Sequence, residues 1–264
     1  MSSSGGSGSL SHRFEPTRQG AYHVGILLTE GVSAWTAHDV NDGRPAALGW
    51  HLGHGALEDP RMPTHPASVS FVTLPEWSTL VPDAALVPGS EIRHLELVHG
   101  ELPAGPLRDE PVSSLGATCL FKHETALERR ALERFPHAHP LSLQALMVRG
   151  VLARAAERPT ILVHRGEGRS DIAVAKDGKL LLSNTFPTRT DKDVLYFVLL
   201  AAERSGLSPD ELDLRIGGTH PGDDSTLLGR YFRRTTAAFS VPWADASHRV
   251  ERWMAAFDQF ACVS

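Results

Sequence analysis

PTILVHRGEGRSDIAVAKDGKLLLSNTFPTRTDKDVLYFVLLAAERSGLSPDELDLRIGG, residues 159–218, is the stretch that decides the fold. Ile161-Leu162-Val163 is a short apolar run of the kind a buried strand needs, and Asp171–Ala175 and Leu180–Phe186 are two more. Lys176-Asp177-Gly178 joins the last two runs. Asp-Gly between apolar runs is a strong hairpin signal, because Gly accepts the positive φ of a tight turn. A glycine-rich link containing Gly166 and Gly168 joins the first two. Together these runs predict a three-stranded antiparallel meander.

A helix is expected next. Thr190 can cap its N-terminus, with Asp193 in the position of a capping box. Val194, Leu195, Val198, Leu199 and Ala202 fall on one side at helical spacing, and Gly206 suits the stop. Leu212–Ile216 then predicts a short strand ending at Gly217-Gly218. Strand, crossover helix and returning strand form a βαβ unit, whose right-handed crossover sets the two strands parallel.

The chain opens on a similar pattern. Tyr22–Thr29, Val32–Asp39 and Ala46–His51 read as strands, with turns at Glu30-Gly31 and Asn41-Asp42-Gly43. The recurring Asp-Gly turn points to a duplicated architecture. Further on, a strand is expected at Ala67–Leu74, turns over Pro75–Pro88, a short helix or irregular segment at Ser90–His99, a loop at Pro103–Pro111 and a strand at Val112–Phe121. Helices are expected at Glu124–Phe135, Leu141–Ala156 and Ser225–Arg234, a strand at Ala237–Val241 and a terminal amphipathic helix at Ala246–Cys262.

At 264 residues the chain has room for one large domain or two small ones, and its 41% apolar content is enough to fill a core. A net charge of −5 argues against a nucleic-acid partner, which favours a basic face. The two cysteines, Cys119 and Cys262, make no disulfide framework and fit a reducing compartment. Met1–Ser9 is rich in Ser and Gly and lacks the apolar core of a signal peptide. No run reaches membrane-spanning length. A cytoplasmic protein is expected.

The double meander with crossover helix and Gly-Gly resembles the plan of the two-lobed actin-like ATPases, an α/β fold of the ribonuclease H-like type. Thr79-Leu80-Val81-Pro82, Gly178–Phe186, Asp191–Tyr196 and Ile216-Gly217-Gly218 carry the resemblance. They look most like the bacterial cell-division and pilus-assembly branch, and within it a bacterial family of unknown function. The resemblance implies a disordered tail at 1–20, an N-terminal lobe at 21–156 and a C-terminal lobe at 157–264 that includes the terminal helix.

Actin-like proteins hold ATP between their lobes, with phosphates cradled by the first turn of each meander and an Asp beside each turn organising Mg²⁺ or water. Here Leu27 stands where the first Asp is expected. In His164-Arg165-Gly166-Glu167-Gly168-Arg169-Ser170-Asp171, the residues Gly166, Ser170 and Asp171 match, but His164 replaces the leading Asp. Gly217 and Gly218 match the adenosine position. A hard cation prefers carboxylate oxygen and water, so both acids that would handle Mg-ATP are missing. The resemblance thus marks Gly166, Gly168, Ser170, Asp171, Gly217 and Gly218 as a residual nucleotide site, with ATP as the implied cofactor and no catalytic or metal-binding residue.

Plainer readings stand beside these. Gly166–Asp171 can be a glycine-rich hairpin rather than a phosphate nest, and on sequence alone the hairpin outweighs it. Gly217-Gly218 can be a tight turn that uses the freedom of Gly in φ. The 14 histidines, with His51/His54 and His137/His139 the closest pairs, lack metal-ligand spacing and read as scattered surface residues. Cys119 lies in an expected strand and reads as buried. The terminal helix mixes Arg249 and Arg252 with Glu251 and Asp258, which favours docking on its own lobe over a membrane surface. Two functions follow from this: a non-hydrolysing scaffold or regulatory protein that binds a protein partner or itself, and, as the alternative, a nucleotide-binding ATPase or phosphotransferase.

Overall fold

Apolar runs separated by Gly-containing turns produce two sheets built to the same plan. The structure is a computed structural model that describes residues 7–220, 224–244 and 246–263. In chain order its strands and helices are β1 (Ser7–Leu10), β2 (Tyr22–Leu28), β3 (Val32–Asp39), β4 (Pro45–Leu52), β5 (Ser68–Thr73), β6 (Glu76–Pro82), α1 (Glu91–His99), β7 (Arg108–Val112), β8 (Ala117–His123), α2 (Thr125–Arg134), β9 (His139–Pro140) and α3 (Leu143–Arg154). They continue with β10 (Thr160–Gly166), β11 (Arg169–Lys176), β12 (Lys179–Pro187), α4 (Asp191–Arg204), β13 (Asp213–Gly217), α5 (Asp224–Leu228), β14 (Thr235–Ala237), α6 (Met254–Phe257) and α7 (Phe260–Val263).

Two compact units result. One holds the described residues of Met1–Ala145, Val241–His248 and Ala255–Ser264, the other those of Leu146–Ser240 and Arg249–Met254. The first unit has a six-stranded sheet ordered β1-β4-β3-β2-β5-β9, and the second a five-stranded sheet ordered β12-β11-β10-β13-β14. In each, an antiparallel meander is followed by two parallel strands, β5 and β9 in one and β13 and β14 in the other. The expected meander, the Asp177-Gly178 turn with φ of 51° and 70°, and the Thr190/Asp193 capping box are all present. Val194, Val198, Ala201 and Ala202 of α4 pack on Ile161, Ile172 and Val174 of the sheet.

Several elements differ from the sequence expectation. Residues 7–10 do not belong to a disordered tail. They pair with β4, and Gly8 lies so close to Leu48 that an added Cβ would sit 2.3 Å from its carbonyl oxygen. Residues 1–6 of the expected tail lie outside the described residues. Phe14 joins the core and stacks near Tyr22, with ring centroids 5.1 Å apart. Pro75–Pro88 is not a string of turns and Pro103–Pro111 is not wholly loop. β6 and β7 flank β8 in a separate three-stranded sheet, where strand pairing decides the conformation and Pro111 is tolerated on an edge strand.

The terminal helix is also broken up, into short 3-10 and α turns, with Arg249 in the left-handed region at φ 44°. Tertiary hydrogen bonds replace the regular ladder. In the first unit Thr36 Oγ1 donates to Ala256 O (3.0 Å), Ser70 Oγ donates to Gln259 Oε1 (2.7 Å), and Gln259 Nε2 donates to Ile26 O (2.8 Å). Gly25 permits this approach, since a Cβ there would lie 2.4 Å from Ala256 O.

Beneath this segment lie two buried histidines. His23 is held between Ser68 Oγ (2.8 Å) and Ser70 Oγ (3.0 Å), and His38 stacks on Phe260 at 5.2 Å. Burial lowers His23 to about 4. It lowers His38, with a further push from His23, to about 3. Unfolded histidine titrates near 6.5, so the unfolded chain takes up protons first as pH falls. The stability that depends on neutral His23 and His38 is therefore full above about pH 6.5 and is lost toward pH about 4 and about 3. Thermal melts should show the midpoint dropping across this window, and His38→Phe, which keeps the stack on Phe260, should flatten the drop. An unchanged slope in that variant would show that His38 does not contribute.

Candidate functional site

The candidate stretch Gly166–Asp171 forms a tight hairpin. Gly166 pairs with Arg169, which leaves a two-residue tip of Glu167 and Gly168, with Gly168 at φ 67°. Ser170 is buried and its Oγ lies 2.9 Å from Thr188 Oγ1, while Thr188 N donates to Gly168 O at 3.1 Å. The tip is exposed, and the hydroxyl behind it is already engaged.

His164 and Asp171 face each other across the β10–β11 ladder. His164 is fully buried, and its Nδ1 lies 3.6 Å from Asp171 Oδ2, beyond hydrogen-bond distance. Asp171 Oδ1 is ion-paired with Arg169 and accepts from Thr185 Oγ1 at 2.7 Å. Burial alone would raise the Asp171 pKa, but the Arg169 guanidinium, with His164 adding to it, holds the carboxyl well below the usual range. Asp171 Oδ1 is therefore engaged by Arg169 and Thr185, while Oδ2, which faces His164, accepts no hydrogen bond. Arg165 reaches Asp191, in the first turn of α4, at 2.7 Å.

Gly217 and Gly218 lie beside this hairpin, because β13 pairs in parallel with β10 and sets Gly217 against His164. Both glycines are buried by their own chain. A Cβ on Gly218 would fall 2.4 Å from both N and O of Arg165, and Gly218 holds φ 107°. A Cβ on Gly217 would fall 2.6 Å from Glu251 O and 2.6 Å from Met254 Sδ. Gly218 N donates to Glu251 O (3.0 Å). Close backbone packing thus explains both glycines without a ligand.

The first unit repeats the geometry without the chemistry. Its first hairpin turns at Glu30-Gly31, where Thr29 N donates to Val32 O (3.0 Å). Counting back from the tip, Leu27 is to this hairpin what His164 is to the other. Leu27 pairs with Ala34 as His164 pairs with Asp171. Leu27 is fully buried. The resemblance implies Mg-ATP. In the first unit Leu27 offers no carboxylate at its hairpin, and in the second His164 offers none, with Asp171 Oδ1 ion-paired to Arg169. A hard cation prefers carboxylate oxygen to either of these two side chains.

Other charged groups that the sequence did not single out prove to be buried. Asp59 accepts from Trp35 Nε1 (2.9 Å) and Arg61 Nη2 (2.7 Å), with His51 Nε2 at 2.8 Å. Glu76 accepts from Ser142 Oγ (2.9 Å) and Leu143 N (2.7 Å) at the start of α3. His123 lies between Glu76 (3.6 Å) and Glu128 (3.5 Å). Burial would lower its pKa, but the two carboxylates raise it. Cys119 is buried beside Ser142, and burial, reinforced by Glu76, pushes its thiol up. His23, His38, His51, His123 and His164 are thus buried rather than superficial. A cavity of about 610 Å³ opens by β5 and β9 and is lined in part by His65, Ser68, Phe135, His137, His139 and Cys262. None of the candidate residues lines it. Among the described residues, no group of His, Cys, Asp and Glu is arranged to hold a metal ion.

The model of the family described as protein of unknown function DUF3822 matches residues 69–234. The chain belongs to that family. A family member of this size shares its fold with a Bacteroides thetaiotaomicron protein of actin-like ATPase fold and unknown function. The two are 13% identical, with TM-score 0.75 over 92% of this chain and 98% of that one. PilM in the PilM-PilN type IV pilus biogenesis complex is also similar, at 11% identity and TM-score 0.53 over 90% and 98%. So is the cytoplasmic domain of EpsL, an inner membrane component of the type II secretion system of Vibrio cholerae, at 12% identity and TM-score 0.50 over 92% and 95%. No curated protein matches. This DUF3822 chain has the actin-like ATPase fold.

Removing Asp171 leaves Arg169 without its buried partner. Asp171→Ala should cost about 3 kcal/mol in chemical denaturation, and Gly218→Ala should lose at least as much by driving a Cβ into the Arg165 backbone. Stability within about 0.5 kcal/mol of wild type, as for an ordinary surface change, would contradict the described packing.

Proposed function

We propose that this protein is a non-hydrolysing member of the actin-like fold that acts as a scaffold or regulatory protein by binding another protein chain. One observation carries the reading. At the two equivalent positions where the fold's chemistry calls for a metal-organising acid, the chain has buried Leu27 and buried His164. Phosphoryl transfer depends on metal ions to neutralise developing charge, and these positions cannot recruit one. Two proteins of similar fold belong to assemblies, PilM in a complex with PilN and EpsL in a secretion system. That supports assembly as a use for this fold. No described helix is long and apolar enough to cross a membrane.

The alternative is an ATPase or phosphotransferase that holds ATP on Gly166, Gly168, Ser170, Asp171, Gly217 and Gly218. It has less support, since Ser170 and Asp171 are engaged internally and both of the last two glycines are packed against their own chain.

Thermal shift and calorimetry with ATP, with and without Mg²⁺, separate the two. A ligand at 100 times its Kd would add about 2.7 kcal/mol of stability, a plainly visible shift. No shift is expected, and phosphate release should stay at background in both the wild type and Asp171→Ala. Magnesium-dependent binding, or release abolished by Asp171→Ala, would overturn the proposal in favour of the alternative.

A further inference from the structure

The cavity of about 610 Å³ beside β5 and β9 lies wholly within the first unit. Ligand sites commonly enclose about 300–1,000 Å³ behind mostly apolar walls, with a few polar groups that fix orientation. Val69, Phe135, Pro136 and Ala138 supply the apolar wall here.

The polar part of the wall is one-sided in charge. The chain has 31 acidic residues and a net charge of −5, yet no described residue of this lining is Asp or Glu. Thr64 and His65 are used on each other, with Thr64 Oγ1 3.0 Å from His65 Nδ1. His137 and His139 are not used: both rings are exposed and neither has a partner among the described residues. An imidazole carries at least one N–H donor in either charge state. Beside them the Arg134 guanidinium lies 4.8 Å over the Phe135 ring. Its Nε donates to Leu57 O at 3.3 Å, and no described carboxylate pairs with it.

Ser68 makes the opposite demand. Gln259 Nε2 donates to Ile26 O and Ala255 O, so Gln259 Oε1 accepts from Ser70 Oγ at 2.7 Å. Ser70 has then spent its hydrogen and accepts from His23 Nε2 at 3.0 Å. Neutral His23 in turn accepts at Nδ1 from Ser68 Oγ at 2.8 Å. Ser68 Oγ therefore meets the cavity it lines with lone pairs alone.

We propose that this cavity binds a small aromatic acid. The ring lies on Val69 and Phe135, the anionic group takes N–H donors from His137 and His139, and a hydroxyl or N–H next to that group donates to Ser68. The proposal rests on this wall and holds whether or not ATP binds at the hairpins.

The probe is 8-anilinonaphthalene-1-sulfonate, an aromatic anion that carries an N–H. With the full chain at neutral pH its fluorescence should rise and saturate at one probe per chain. Displacement by 2-hydroxybenzoate should need several-fold less competitor than displacement by benzoate. Ala67→Trp, which fills the cavity from an exposed position in its wall, should abolish the signal. His137→Glu with His139→Glu should weaken binding at least tenfold. His137→Gln with His139→Gln, which keeps N–H donors, should weaken it less than threefold. Lys192→Glu, an exposed change in the other unit with the same effect on net charge as the two Glu substitutions, should leave binding as it is. All these side chains are exposed, and an unchanged circular dichroism spectrum checks the fold of each variant. A signal that does not saturate, no displacement by 2-hydroxybenzoate, or an affinity that Ala67→Trp and the Glu pair leave unaltered would overturn the proposal.

Discussion

Desolvation governs which side chain can stand just before each hairpin tip of this molecule. Leu27 and His164 occupy equivalent, fully buried places in two sheets of the same design. A carboxylate at either place would be stable only if paired, because a lone buried charge costs several kcal/mol. One site accepts a leucine and the other a ring next to Asp171. That Asp171 stays ionised in so enclosed a place because Arg169 sits on it. That contact occupies Oδ1 of the acid.

The rest of the interior follows the same rule. Several buried carboxylates are matched by donors or by an opposite charge. Asp59 collects Trp35, His51 and Arg61, and Glu76 closes the start of α3. These hubs contribute more to specificity of arrangement than to net stability. They explain why small residues recur at the joints. A Cβ on Gly49 would collide with Trp35 Nε1 at 2.3 Å, and one on Gly218 with the Arg165 backbone. The glycines that suggest a ligand cradle are used instead to bring the chain against itself.

The surface carries the β12 edge strand, the aromatic row of α4 and a cavity beside β5 and β9. Backbone hydrogen bonds along an edge supply affinity, and the side chains alongside supply selectivity.

The sequence by itself determined what is local. The Asp-Gly turn at Asp177-Gly178, the Thr190/Asp193 cap and the apolar runs of β10 to β13 are legible because each depends on residues within a few positions of one another. The equivalence of Leu27 and His164 in the two hairpins follows from the repeated meander. Only the tertiary structure decided the rest. β1, β6 and β7 are strands because remote partners offer hydrogen bonds, and nothing in their own residues requires it. The terminal segment gives up a continuous helix because Thr36, Ser70 and Ile26 bond its carbonyls and Gln259. Five histidines are buried for the same reason: whether a polar ring lies inside depends on groups brought to it from far along the chain, and local periodicity carries no record of them.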